Sequence, residues 1–315
     1  MDEPRKRNAN RSNVEKKCVD KNSSEKKNSD LTCSKNNNLP LRVFSRIVVI
    51  TSLLIIVYFS LNDEKIKTFA KQSEMLPGKG QIIECSPEYL KELDKYEGCF
   101  PKDCKRFVTD KVISEQEADK LLTIAKKGLE LGGSSGGASI LDLHSGALSN
   151  GEHFVNIYKI AKNLYTENDF NIYRVVKEKV KYAVAHHFGV DRNKIYLTHP
   201  TFFSEITSKK SVTVHDEYWH PHVDKETYKS FHYTTLLYLG DYNKDFKGGR
   251  FVFVDKNTNN TVEPRKARLS MFTSGRENVH YVEKVSSGVR YAVTISFTCD
   301  MQHAIDNPST DKYKN

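Results

Sequence analysis

The chain has 315 residues, 28% of them charged and 38% hydrophobic, with 16 Tyr and 16 Phe. This composition excludes a polytopic membrane protein and a collagen-like fibre, and its aromatics can core a folded domain of about 200 residues. The formal charge of +9 sits mainly at the amino end. Up to Arg46 there are 12 Lys and Arg against 6 Asp and Glu, leaving 9 − 6 = +3 beyond, which argues against a nucleic-acid-binding domain.

Residues 1 to 42 are rich in Asn, Lys, Ser and Asp and read as a disordered basic cytoplasmic tail. Residues 43 to 61 follow as a transmembrane signal anchor. Ile47 to Leu61 is free of charge, and Val43 and Phe44 extend the apolar run if Arg46 snorkels. Lys35, Arg42 and Arg46 place the basic excess on the amino side, which predicts a single-pass type II protein of the endoplasmic reticulum or Golgi with a lumenal domain. Cys85, Cys99, Cys104 and Cys299 then form an even lumenal set of disulfide candidates. All three pairings stay open, although Cys299 could tie the carboxy-terminal end to the stem. Past the span, the sequon Asn259-Asn260-Thr261 lies in a turn-rich stretch and is the expected glycosylation site.

Residues 62 to 105 read as a lumenal stem with a Cys-bounded segment. Ser114 to Glu117 has the pattern of a capping box, and Ala118, Leu121, Leu122 and Ala125 predict a helix from 115 to about 130. The Gly-rich run at 132 to 137 reads as a linker. Ile172, Val175, Val176, Val180 and Val184 predict a second helix over 171 to 188, with Gly189 as its C-cap. Short β-branched and aromatic runs follow at 195 to 206, 234 to 239, 250 to 254, 269 to 273 and 290 to 298. This order predicts an α+β, mainly β fold: a jelly roll backed by helices, preceded by the tail and the transmembrane helix.

Trp219-His220-Pro221-His222-Val223-Asp224 lies among these strands. Residues two apart on a strand share a face, so His222 and Asp224 would present an imidazole beside a carboxylate. That is two thirds of the facial triad that holds non-haem Fe(II) and leaves positions open for a co-substrate and dioxygen. His280 is the candidate third ligand. Arg290, ten residues on, can clamp a carboxylate with a bidentate fork. His215 and His220 are extra histidines near the site, Trp219 suits a packing or wall role, and His186 and His187 end a helix where a cation is favourable. No partner for His199 is visible.

His222-x-Asp224, Thr235 to Leu239, Gly248-Gly249-x-Phe251, Pro264 before Leu269, His280 and Gly288-x-Arg290-Tyr291 occur in the order seen in the prolyl 4-hydroxylase-like branch of the 2-oxoglutarate and Fe(II)-dependent oxygenases, which this chain resembles over about residues 106 to 300. The resemblance implies a double-stranded β-helix in that span, with 301 to 315 as a carboxy-terminal tail. It implies Fe(II) on His222, Asp224 and His280, and 2-oxoglutarate on Arg290, with Tyr238 and Thr294 lining its pocket. O2 is the oxidant, with ascorbate as the expected reductant. The implied activity is a dioxygenase that hydroxylates a protein or small molecule of the secretory pathway. The alternative is a non-catalytic relative acting as a lumenal binding module. A glycosyltransferase with an Asp-x-Asp metal site and a His-Glu-x-x-His peptidase are both unsupported, since neither motif occurs.

Overall fold

The computed structural model describes residues 39–62 and 66–309. The chain divides into two units, Met1–Asp63 and Glu64–Asn315. In the first, helix α1 (Leu39–Asn62) begins within the stretch expected as tail, the rest of which lies outside the described residues. Its large apolar side chains from Val43 to Tyr58 are 45% to 66% exposed. Among the described residues no helix is long and apolar enough to cross a membrane. The expected transmembrane span at 43 to 61 is therefore not found as such.

In the second unit β1 (Ile66–Ala70) and β2 (Lys79–Ile82) are followed by α2 (Pro87–Leu93), whose first residue is a proline at a position that needs no amide donor, and by β3 (Lys105–Thr109). Helix α3 (Glu115–Leu129) starts at the expected capping box: Ser114 Oγ accepts from the Glu117 amide at 3.2 Å, and Glu117 Oε2 accepts from the Ser114 amide at 3.0 Å. It buries Ala118, Leu121, Ile124 and Ala125, with Leu122 at the margin. Strands β4 (Gly133–Ser134), β5 (Ala138–Leu141), β6 (Ala147–Gly151) and β7 (His153–Asn156) come next, so part of the expected glycine linker is a strand. The single turn α4 (Ile157–Ile160) leads to α5 (Glu167–Phe188). This helix starts four residues before the apolar period, at a Thr166 and Asp169 capping box, and ends at Gly189 in the left-handed region, φ 70°.

The strand-rich half comprises β8 (Tyr196–Leu197) and β9 (Phe202–Thr207), separated at Pro200, then the short helix α6 (Asp224–Thr227). It continues with β10 (Tyr233–Tyr238), β11 (Phe246–Gly248), β12 (Phe251–Phe253), β13 (Asn259–Val262), β14 (Leu269–Thr273), β15 (His280–Val282) and β16 (Val285–Thr298).

Two sheets result. One has the order β1-β13-β12-β15; the other runs β2-β3-β14-β10-β16-β9-β5-β6-β4, with β8 and β11 on β16 and β7 on β6. All pairings are antiparallel except β1 with β13 and β4 with β6. Phe251, Phe253 and Val262 of the first sheet pack with Leu236, Tyr238 and Phe272 of the second, forming the interior of a jelly roll. A larger cluster covers the second sheet's other face, where Phe170, Tyr173, Val180 and Phe188 of α5 meet Tyr233, Leu237 and Val293. Each such fully buried side chain contributes about 1.5–3 kcal/mol. Strand β10 is buried on both faces, one toward the roll and one toward the helices.

Two expectations are corrected here. The stem at 62 to 105 is not a stalk: β1 pairs with β13, and β2 pairs with β3, which pairs with β14, so the segment is woven into both sheets. The β1–β13 pairing sets Ile66 opposite Asn259 and the β3–β14 pairing sets Thr109 opposite Leu269, and partners so distant along the chain leave no local sequence signal. Asn259 does not sit in a turn. It opens β13, is 9% exposed, and its Oδ1 accepts from the Asp255 amide, so it is not presented as a glycan acceptor. The four candidate cysteines do pair, as Cys85–Cys104 and Cys99–Cys299, closing 19 and 200 residues; the second ties the end of β16 to the segment after α2, the link expected of Cys299.

Candidate active site

His222, Asp224 and His280 converge, with one ligand atom from each lying within 4.8 Å of the others. The expected strand placement of the first two is only half right. His222 forms an isolated antiparallel bridge with His280, its amide donating to the His280 carbonyl at 2.9 Å and its carbonyl accepting from the His280 amide at 3.0 Å. Asp224 instead opens α6, and this turn brings its carboxylate beside the imidazoles. Asp224 Oδ1 lies 3.7 Å from His222 Nε2 and 3.6 Å from His280 Nε2.

Both rings are fixed in one tautomer. His222 Nδ1 donates to the His220 carbonyl at 3.0 Å, and His280 Nδ1 donates to the Asn278 carbonyl at 2.8 Å, so each Nε2 turns a lone pair toward Asp224. Burial pushes the His280 pKa down, which keeps the ring neutral and able to ligate. Its ring stacks on Phe251 with centroids 4.9 Å apart. The loop carrying Asn278 is held by Arg106, which donates from Nε to Asn278 Oδ1 at 2.7 Å, pairs with both Asp255 oxygens at 2.8 Å and lies over the Phe253 ring.

Arg290 is 1% exposed and donates from Nε to the Gly249 carbonyl at 2.9 Å. Burial lowers its pKa, as expected of a cation removed from water without a counter-charge. Its Nη2, the Tyr238 hydroxyl and the Ser270 hydroxyl are buried without a hydrogen-bond partner among the described residues. The Arg290 guanidinium sits 5.5 Å from the Tyr238 ring centroid. Unsatisfied buried donors are costly, and a carboxylate bound there would satisfy them. The donor set thus fits both implied groups: two imidazoles and a carboxylate for Fe(II), and an arginine with a tyrosine for an acid. Thr294 and Leu236 line the same cavity, which has a volume of about 840 Å³.

Several contributors were not legible as such. Thr234 and Asn278 hold Asp224 and His280, and nothing in their spacing marks them. Ser134, from the glycine-rich run, lines the cavity. Tyr218 also lines it, and its hydroxyl accepts from the Val285 amide at 2.9 Å. Trp219 takes the Lys284 ammonium over its ring at 3.8 Å, a packing contact, and is not among the residues lining the cavity. His215 and His220 lie at the rim, with His220 Nε2 2.7 Å from Glu217 Oε2. His199 does have a partner, Asp142 Oδ2 at 3.3 Å. His187 is no helix-end cation: it stacks on Phe107 at 3.8 Å, and burial lowers its pKa to about 4.

Fold and site define an oxygenase of the Fe(II) and 2-oxoglutarate type, and the profile of the 2OG-Fe(II) oxygenase superfamily matches residues 208–298, which carry the triad and Arg290. The chain is 49% identical over 290 residues to the 2-oxoglutarate and iron-dependent oxygenase domain-containing protein 3 of Mus musculus, covering 88% of this chain and 92% of that protein, and it belongs to that family. It is 31% identical over 152 residues to prolyl 3-hydroxylase 1 of Rattus norvegicus, covering 42% of this chain and 20% of the relative. A solved structure, the 2OG complex of a viral collagen prolyl hydroxylase from Paramecium Bursaria Chlorella virus-1, aligns with a TM-score of 0.39 at 17% identity, over 64% of this chain and 96% of that one.

Proposed function

We propose that the protein is an Fe(II)- and 2-oxoglutarate-dependent dioxygenase that hydroxylates a substrate of the secretory pathway, with its domain on the lumenal side of the membrane. The observation that carries the catalytic reading is the pairing of two features in one cavity: a triad whose Nε2 lone pairs face a shared carboxylate oxygen, and a buried arginine with an uncommitted Nη2. His222, Asp224 and His280 would hold the metal. Arg290 with Tyr238 would take the far carboxylate of 2-oxoglutarate, and Thr294 would line its pocket. Fe(II) with 2-oxoglutarate and O2 supplies the oxidising chemistry, ascorbate serving as reductant. The protein's share is to orient the acid, to keep the buried His280 imidazole neutral and to exclude water behind Phe251 and Phe272.

The two disulfides support an oxidising compartment. The apolar residues of α1, preceded by Arg42 and Arg46, support a signal anchor. Isothermal titration of Mn(II) and then 2-oxoglutarate into the purified domain, with succinate release measured on the Fe(II) form, tests the first part. Metal binding unaffected by His222→Ala rejects the triad. Protease added to sealed microsomes tests the second, and a carboxy-terminal domain left unprotected rejects the orientation.

A further inference from the structure

Resting on the co-substrate reading above, we infer that the acceptor is an uncharged side chain of an extended polypeptide laid along the edge strand β7. The cavity exceeds what a five-carbon acid fills, and the charge on its inner walls is already committed, the exposed Glu152 at the rim apart. Arg290 is the only lysine or arginine lining it among the described residues. Asp224 belongs to the triad. Asp216, 2% exposed, accepts from the Ser134 hydroxyl at 2.5 Å and from the Val212 and Thr213 amides at 3.2 and 2.9 Å. Glu217 is held by His220, and Glu152 lies exposed at the tip of the β6–β7 hairpin. A lysine or arginine entering the cavity would give up its water without an inward carboxylate to meet it, and an acid would find no second cation; both are costly.

The rest of the wall suits an uncharged group. Pro200, Phe202 and the stacked pair Tyr228 and Phe231, with centroids 4.9 Å apart, form an aromatic shelf. Beyond it the cavity reaches His153 and Phe154 of β7, and Phe154 is 54% exposed. Among the described strands β7 pairs with β6 alone. The two-residue connection Gly151-Glu152 makes Asn150 and His153 the hydrogen-bonded pair, so Phe154, opposite Ser149, turns its own amide and carbonyl away from β6. An extended chain can pair with such an edge while a side chain points inward. The reaction balances as C–H plus O2 plus 2-oxoglutarate giving C–OH plus succinate plus CO2. One oxygen atom enters the hydroxyl and one the new succinate carboxylate, and the keto acid supplies two electrons.

The test offers the Fe(II)-loaded full chain three pools of synthetic 13-residue peptides whose central residue is uncharged, Lys or Arg, or Asp or Glu. Only the uncharged pool should gain one oxygen atom, with matching succinate release. Phe154→Ala should raise the KM for that pool about tenfold with little change in kcat, as loss of one buried aromatic contact implies. Oxygen gain in a charged pool overturns the inference, as does an unchanged KM in the variant. Titration of Mn(II) and 2-oxoglutarate on the same preparation separates the two readings. Binding of both with no pool modified overturns this inference alone, whereas absence of 2-oxoglutarate binding overturns the reading beneath it as well.

Discussion

Thr234 Oγ1 donates a 2.6 Å hydrogen bond to Asp224 Oδ2, which commits that oxygen and leaves Oδ1 facing the two imidazoles. The Thr234 hydroxyl has one proton, so the Ser274 hydroxyl 2.8 Å away must donate to it in turn. Thr234→Val keeps the shape, removes the bond and leaves Oδ2 unsatisfied. Mn(II) affinity should fall about 10- to 100-fold, the usual cost of losing such a partner. Titration of the metal checks this; an unaltered affinity would show that α6 alone orients the carboxylate.

Arg290→Leu should spare metal binding and weaken 2-oxoglutarate binding by about 2 to 5 kcal/mol, because a desolvated carboxylate would lose its partner. Without ligand, the variant should melt no lower than the wild type, since the native side chain is a buried cation without a counter-charge among the described residues. Melting curves with and without 2-oxoglutarate read both effects. A ligand-induced rise that persists in the variant would place the acid elsewhere.

Alkylation of the denatured, unreduced chain should leave Cys85, Cys99, Cys104 and Cys299 unlabelled. Cys299→Ser, which opens the link closing 200 residues, should destabilise the domain by about 2–5 kcal/mol. Peptide mapping under non-reducing conditions settles the pairing, and a Cys85–Cys99 peptide would contradict it.

Burial lowers the His144 pKa to about 4, and its contacts suit the neutral ring: Nδ1 donates to the Asp306 carbonyl and Nε2 accepts from the Tyr173 hydroxyl at 2.9 Å. The unfolded chain takes up this proton near pH 6.5 and the folded one only near 4. The unfolded state therefore binds more protons between those values, and stability should fall as pH drops through that window and level off below it. The loss from this group is on the order of 3 kcal/mol. Urea unfolding at pH 7.5, 6 and 4.5 should show a shallower decline for His144→Gln. Parallel declines would remove His144 as a cause.

Local rules were legible wherever a residue acts on near neighbours. The Ser114 cap, the αL Gly189 and the strand at 269 to 273 stand as read. They failed where the partner is distant. Thr166 and Asp169 form a cap, yet Asp in place of Glu hides it among polar residues, so the apolar period alone starts α5 four residues late. The alternation expected of a half-buried strand is missing from β10 because both its faces are covered.

The sequence by itself determined the residue types and order of the site, His222, Asp224, His280 and Arg290, because metal and carboxylate chemistry admit few side chains. It also determined the core-facing periods of α3 and α5. Only the tertiary structure decided that β1, β2 and β3 belong to the sheets and that Cys99 reaches Cys299. Tertiary contacts likewise made Thr234 and Asn278 the residues that orient the ligands, and they buried Asn259 at the start of β13. The physical reason is separation. A capping box or an amphipathic period is enforced within one or two turns of chain, whereas a sheet register or a ligand's hydrogen-bond partner is fixed by packing between residues far apart along the chain, and no local spacing encodes it.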